Sequence, residues 1–217
     1  KSGFWMNTRL SSITSDGYVE RASSDLQSYY VSAGFTSGGH YFEAIRFGGG
    51  ERTYQAWYGV DSTTMYGQNA FPQFNAAGAL YDDNWNVIGT YNDQVDNYGQ
   101  EHTQLHYRYS NLFGGTFAAA LHHTAGAGYY EEYNQGTVYN DFGIGDYVSA
   151  MDTVSYGDVV TRKWLDNAFY GATSSWTYEK DGQRLQLGGG VHRYDGAHFG
   201  KVIWANNPNV STLDEDY

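Results

Sequence analysis

Seven histidines are the first groups in this 217-residue sequence that could do chemistry. His102 and His106 have the i, i+4 spacing that, on a helix, brings two imidazoles to one zinc ion. On a strand the same spacing holds them ~13 Å apart at ~3.3 Å per residue. The glutamate of a zinc-protease motif is also missing. His122 and His123 alternate to opposite faces of a strand and form no site together. There is no Gly-x-Ser-x-Gly elbow, phosphate loop or dinucleotide fingerprint. With no cysteine in the chain, disulfides, thiolate metal sites and cysteine nucleophiles are excluded. The expectation is a protein that is not an enzyme, with no catalytic residue, resident metal or cofactor.

Carboxylates cluster at Asp82-Asp83, at Asp93 with Asp96, at Glu131-Glu132 and from Asp214 to Asp216. All fall in segments that read as loops, where solvated surface is the default and calcium binding is the alternative. A glycosidase pair would need two of them facing across a cleft with one pKa raised, which spacing alone does not give. Acidic residues outnumber basic ones 24 to 12, for a formal charge of -12. A phosphate polyanion is the wrong partner for that surface, so no nucleic acid is expected.

The elements that must position these groups are strands. Helical periodicity is weak, and 28 glycines interrupt it. Period-two alternation is common instead: Tyr29, Val31, Ala33 and Phe35 fall on one face, with Ser28, Tyr30, Ser32 and Gly34 on the other. Seven strands are expected, at Phe4 to Ile13, Leu26 to Thr36, His40 to Gly48, His102 to Leu112, Thr116 to Thr124, Ala168 to Tyr178 and Arg184 to Tyr194. Tight turns at Ser37-Gly38-Gly39, Phe113-Gly114-Gly115 and Asp181-Gly182 alternate with long loops, Thr14 to Asp25, Gly49 to Glu101, Ala125 to Asn167, and Asp195 onward. Short turns at one end and long loops at the other describe an all-β, antiparallel transmembrane barrel. A soluble β-sandwich, the competing fold, spaces its loops more evenly. Outward aromatics near strand ends (Tyr41 and Phe47, Tyr107 and Phe113, Trp176 and Tyr178) suit the girdles of such a barrel. Seven strands are an odd count with two open edges, so either strands are missed or the sheet is part of a larger one.

Six segments carry a resemblance. DGYVERASSDLQSYY (Asp16 to Tyr30), ERTYQAWYGV (Glu51 to Val60), YNDQVDNYGQEHTQLH (Tyr91 to His106), GAGYYEEY (Gly126 to Tyr133), TRKWLDNAFYGA (Thr161 to Ala172) and RYDGAHFGKVIWA (Arg193 to Ala205) resemble TonB-dependent outer-membrane receptors of the Bacteroidetes type. They run in order and cover most of the chain. The resemblance implies a 22-stranded barrel enclosing an N-terminal plug domain preceded by a TonB box. Residues 1–217 would then be a partial barrel domain of about seven strands, without the plug. Asp214 to Tyr217 reads as a loop about to enter another strand.

The function implied is active uptake of a scarce nutrient across the bacterial outer membrane. A ferric siderophore or other iron complex is the favoured ligand, ahead of cobalamin, haem or glycan. The partners implied are outer-membrane lipid and lipopolysaccharide, TonB acting through the plug, the small-molecule nutrient and a surface lipoprotein. Long loops rich in aromatics suit a bulky ligand held by stacking and hydrogen bonds. The ligand-binding candidates are Arg52, Tyr54, Trp57, Tyr58, Trp85, Tyr98, Tyr129, Tyr130, Arg162, Trp164, Arg193 and Tyr194. Arg52, Arg162, Lys163 and Arg193 stand at strand-to-loop junctions, where they would meet an anionic ligand or lipopolysaccharide phosphates, or pair with nearby carboxylates. Arg9, Arg46 and Arg108 read as lumen residues. The alternatives are a passive, porin-like or structural barrel, and a soluble carbohydrate-binding β-protein.

Overall fold

The computed structural model describes residues 2–150, 152–210 and 215–216. In chain order the strands are β1 (Gly3–Ser15), β2 (Ser24–Ser37) and β3 (His40–Tyr54). A short helix α1 (Ser62–Tyr66) and a small hairpin, β4 (Ala79–Tyr81) and β5 (Val87–Thr90), follow. Next come β6 (Val95–Leu112) and β7 (Gly115–Val138), then a 3-10 turn at Tyr139–Phe142 and a second small hairpin, β8 (Tyr147–Ser149) and β9 (Asp152–Val154). The long strands β10 (Tyr156–Lys180) and β11 (Gln183–Ala205) and the two-residue β12 (Glu215–Asp216) complete the order.

The protein is all-β. Strands β1, β2, β3, β6, β7, β10, β11 and β12 form one antiparallel sheet in sequence order. Its three tight turns place both central residues in the left-handed region: Gly38 and Gly39 (φ 57° and 84°), Phe113 and Gly114 (49° and 76°), Asp181 and Gly182 (49° and 76°). That geometry matches the right-handed twist of the strands it joins.

Residues opposed across the ladder share a face. One row reads Met6, Ala33, Ala44, Leu105, Leu121, Ala172 and Val191. The row beside it, on the other face, reads Asn7, Ser32, Ile45, Gln104, His122, Gly171 and His192. The sheet thus has an apolar and a polar face, and nothing among the described residues covers the apolar one at the turn end: Phe4 is 71% and Leu121 55% exposed.

Core residues gather at the other end. Tyr139, Ile144, Val159, Val202 and Ala205 form one buried cluster, and Tyr54, Ala77 and Val95 a second. There the connections fold back and pack on the strands.

All seven expected strands are present, but they run further toward the loop end. β7, β10 and β11 contain 24, 25 and 23 residues. The supposed loops at Gly49 to Glu101 and Ala125 to Asn167 shrink to residues 55–94 and 139–155. The period-two signal fades there because both faces mix aromatic and apolar residues with charged ones, while the backbone ladder continues. Two assignments of face are corrected by the register. Arg46 shares the apolar face with Val31 and Thr103, whereas Arg9 and Arg108 lie on the polar face. Tyr41 and Phe47 also lie on the polar face, while Tyr107 and Trp176 stand on the apolar one. Glu215–Asp216, expected in a loop, pair with β11, and Asp214 and Tyr217 lie outside the described residues. Among the described residues the outer edge of β1 has no partner strand, and β11 meets β12 only at Lys201 and Val202. No helix among them is long and apolar enough to cross a membrane, which says nothing of crossing by strands.

Candidate functional site

On the polar face, at the loop end, one row of the ladder aligns Glu51, Tyr98, Gly128, Leu165 and His198. The next row aligns Thr53, Asp96, Tyr130, Lys163 and Gly200. All of them but Thr53 line a concavity of about 760 Å³, bordered as well by Tyr129 and Trp164 of the row between, whose side chains point to the opposite face. Its floor depends on missing side chains. A Cβ on Gly126 would fall 2.1 Å from the Tyr98 hydroxyl oxygen, and one on Gly128 2.8 Å from the Tyr98 ring. Tyr98 therefore lies across β7, and its hydroxyl accepts a hydrogen bond from Asn167 Nδ2 at 3.2 Å.

Lys163 Nζ sits 5.2 Å from the Tyr130 ring centre and pairs with Glu132 at 3.1 Å. Burial, with the Glu51 charge behind it, pushes the Asp96 carboxyl above its usual range. Trp57 meets Tyr130 edge-on at 6.1 Å, and Tyr58 adjoins Trp57 at 6.5 Å. Aromatic faces, an ammonium, two carboxylates and an imidazole in one open hollow can stack against and hydrogen-bond a ligand. No group of three or more His, Asp or Glu side chains among the described residues is placed to hold a metal ion.

The opposite face at this height holds the connections down. Tyr129, Trp164 and Phe199 stack across three strands at 4.7 Å and 6.1 Å. The indole N–H of Trp164 is buried there without an acceptor among the described residues. Glu131, expected as solvated loop surface, is 3% exposed in β7. Its carboxylate accepts from Arg162 Nε at 2.7 Å and from the Tyr91 hydroxyl. Arg162 also lies 4.3 Å from the Tyr129 ring centre. Burial first, then the hydrogen bond to Glu131 and its charge, push the Tyr91 hydroxyl far above the usual tyrosine range. Residues 55–94 are fastened further by Arg21, whose guanidinium donates to the carbonyls of Asn75 (2.6 Å) and Ala77 (3.1 Å) and to the Tyr54 hydroxyl (3.2 Å). The Tyr54 hydroxyl itself donates to the Tyr91 carbonyl at 2.6 Å.

Of the twelve candidates, Tyr98 and Tyr130 line the hollow with their side chains, Tyr129 and Trp164 border it from the row between but turn their rings to the opposite face, and Trp57 and Tyr58 stand at its rim. The other six lie elsewhere. Tyr54 is an anchor in the core. Arg162 is held by Glu131, Arg52 by Asp93 at 2.7 Å, and Arg193 by Asp195 at 3.0 Å. Trp85 is 81% exposed on the β4–β5 hairpin, 5.9 Å from Tyr81, and Tyr194 lies lower on the polar face of β11. The junction cations thus pair with carboxylates. Glu51, His198 and Arg21 were not singled out by sequence. The first two become visible only when strand parity is carried past the apolar alternation, and Arg21 carries no local signal. No protein-family model, curated protein or solved structure matches this chain.

Proposed function

We propose that this chain is part of the wall of a TonB-dependent receptor, closed into a barrel with further strands and inserted in a bacterial outer membrane. The observation that carries this reading is the uncovered apolar face confined to the turn end. A soluble sheet must cover such a face with another layer. A barrel wall leaves it to lipid and keeps the polar face for the lumen. A crossing needs only ~9–11 residues, so strands of 23 to 25 residues would project well beyond the bilayer on the loop side. In this reading the hollow around Tyr98, Tyr130 and Trp57 belongs to the extracellular vestibule. It captures a scarce nutrient, in first place a ferric siderophore or similar iron chelate, by stacking and hydrogen bonding. Energy for release into the barrel would come from TonB through the plug.

One observation favours a second reading, a passive porin-like wall: Arg52, Arg162, Lys163 and Arg193 all face carboxylates rather than open space. Quenching of tryptophan fluorescence by candidate ferric chelates in the intact receptor separates the two. Saturable quenching that is lost in Trp57→Phe supports capture at the hollow, and none at any concentration supports the passive wall. The mass of the protein in its source material tests the segment reading. A mass several times 24.3 kDa is expected, and a mass equal to it would contradict that reading.

A further inference from the structure

Midway along the polar face, outside the hollow, three strands bring two imidazoles together. His122 of β7 and His192 of β11 both oppose Gly171 of β10. With no side chain between them, His192 Nδ1 and His122 Nε2 stand 3.3 Å apart. A side chain at Gly171 would close that gap, since a Cβ there would lie 2.7 Å from His192 Nδ1. Phe169 backs the pair, with ring centres 5.0 Å from His122 and 5.6 Å from His192. The other hydrogen-bonded histidines of the sheet are engaged differently: His40 with Tyr107, His102 with Thr124 and His106 with Gln104.

We propose that His122 and His192 form a two-histidine site for a zinc ion, independent of ligand capture at the loop end. Zinc binds imidazole nitrogen at ~2.0–2.1 Å in tetrahedral geometry. Two ligands on one edge of that tetrahedron are therefore about 3.3–3.4 Å apart, the separation found here. A square-planar cis pair, the preference of Cu(II), would need about 2.9 Å at similar bond lengths. Both facing nitrogens must present lone pairs, so His122 takes the Nδ1–H tautomer and His192 the Nε2–H tautomer. Small rotations about the side-chain bonds turn the present hydrogen bond into a shared edge. Water supplies the remaining ligands, because the pair lies on an open face. The net charge of -12 favours a cation near this surface.

The test is zinc alone, titrated calorimetrically into the intact protein in detergent, with cobalt substitution to read geometry. The expected result is one zinc per chain, with the intense visible bands of tetrahedral cobalt. His122→Ala and His192→Ala should each weaken binding at least tenfold, while His106→Ala leaves it unchanged. Gly171→Val should abolish binding by wedging the rings apart, and Phe169→Leu should retain it. No saturable zinc binding, or binding equal in the wild type and both single-histidine variants, would overturn the proposal.

Discussion

The turn end and the loop end of the sheet share strands but not their means of stability. At the turn end an apolar row such as Met6, Ala33, Leu105 and Leu121 has nothing packed upon it among the described residues, and order comes from the backbone ladder and three tight turns. At the loop end Tyr139 is 1% exposed and Val159 fully buried. There, ion pairs and carbonyl contacts fasten the connections to the strands. A β-strand exposes one side chain in two to each face, so a single sheet becomes self-sufficient only where something folds back over it. The loop end supplies its own cover, and the turn end relies on its surroundings.

The largest effect should come from removing that cover. Tyr139→Ala is expected to cost the loop end about 3–5 kcal/mol through the cavity it leaves, read as rapid proteolysis of residues 139–155. An unchanged digestion pattern would mean that the buried cluster does not hold that connection. Next, Leu121→Arg should cost about 2–4 kcal/mol in lipid, whereas Gln104→Arg on the polar face should cost little. Equal costs in a bilayer unfolding titration would break the distinction between the faces.

A smaller effect belongs to the carboxylate beneath residues 55–94. Glu131→Gln leaves Arg162 without its counter-charge and should loosen this insertion by about 2 kcal/mol, less than a fully buried pair because Arg162 is partly solvated. The same anchor gives a pH dependence. The Tyr91 hydroxyl is raised above its unfolded value by burial and Glu131. Its contribution is therefore complete below pH ~10 and lost as the pH rises toward the folded value. Protease resistance of the insertion should fall above about pH 10, and Glu131→Gln should weaken that dependence. The smallest change should favour the turn end. Phe113 holds a left-handed conformation that a bulky side chain resists, and Phe113→Asn should stabilise its hairpin by up to about 1 kcal/mol. Destabilisation would mean that the exposed ring contributes more than its backbone strain costs.

This division also explains what the sequence revealed. The seven strands were legible where one face is apolar, and so were the turns, since Gly38-Gly39 and Asp181-Gly182 announce positive φ. Beyond Gly48 and Thr124 both faces mix aromatic, apolar and charged residues, and the strands vanish from the pattern although their backbone pairing continues. Trp57, Tyr98 and Tyr130 were found by composition. Their assembly was not, because it depends on register across five strands and on Tyr98 lying over Gly126 and Gly128. For Arg162 the sequence leaves an anionic ligand and a nearby carboxylate as equal partners, since Glu131 is 31 residues away in sequence and is buried only by the fold.

The most direct test uses the absence of cysteine from the chain. Single cysteines from Phe117 to Thr124, spin-labelled in the intact protein in bilayers, report lipid and water contact residue by residue. Strict alternation is expected: Phe117, Ala119 and Leu121 relaxed by oxygen dissolved in lipid, and Ala118, Ala120 and His122 by a water-soluble nickel chelate. Equal access of the chelate to both sets, with no oxygen maximum at Leu121, would contradict a lipid-facing apolar surface.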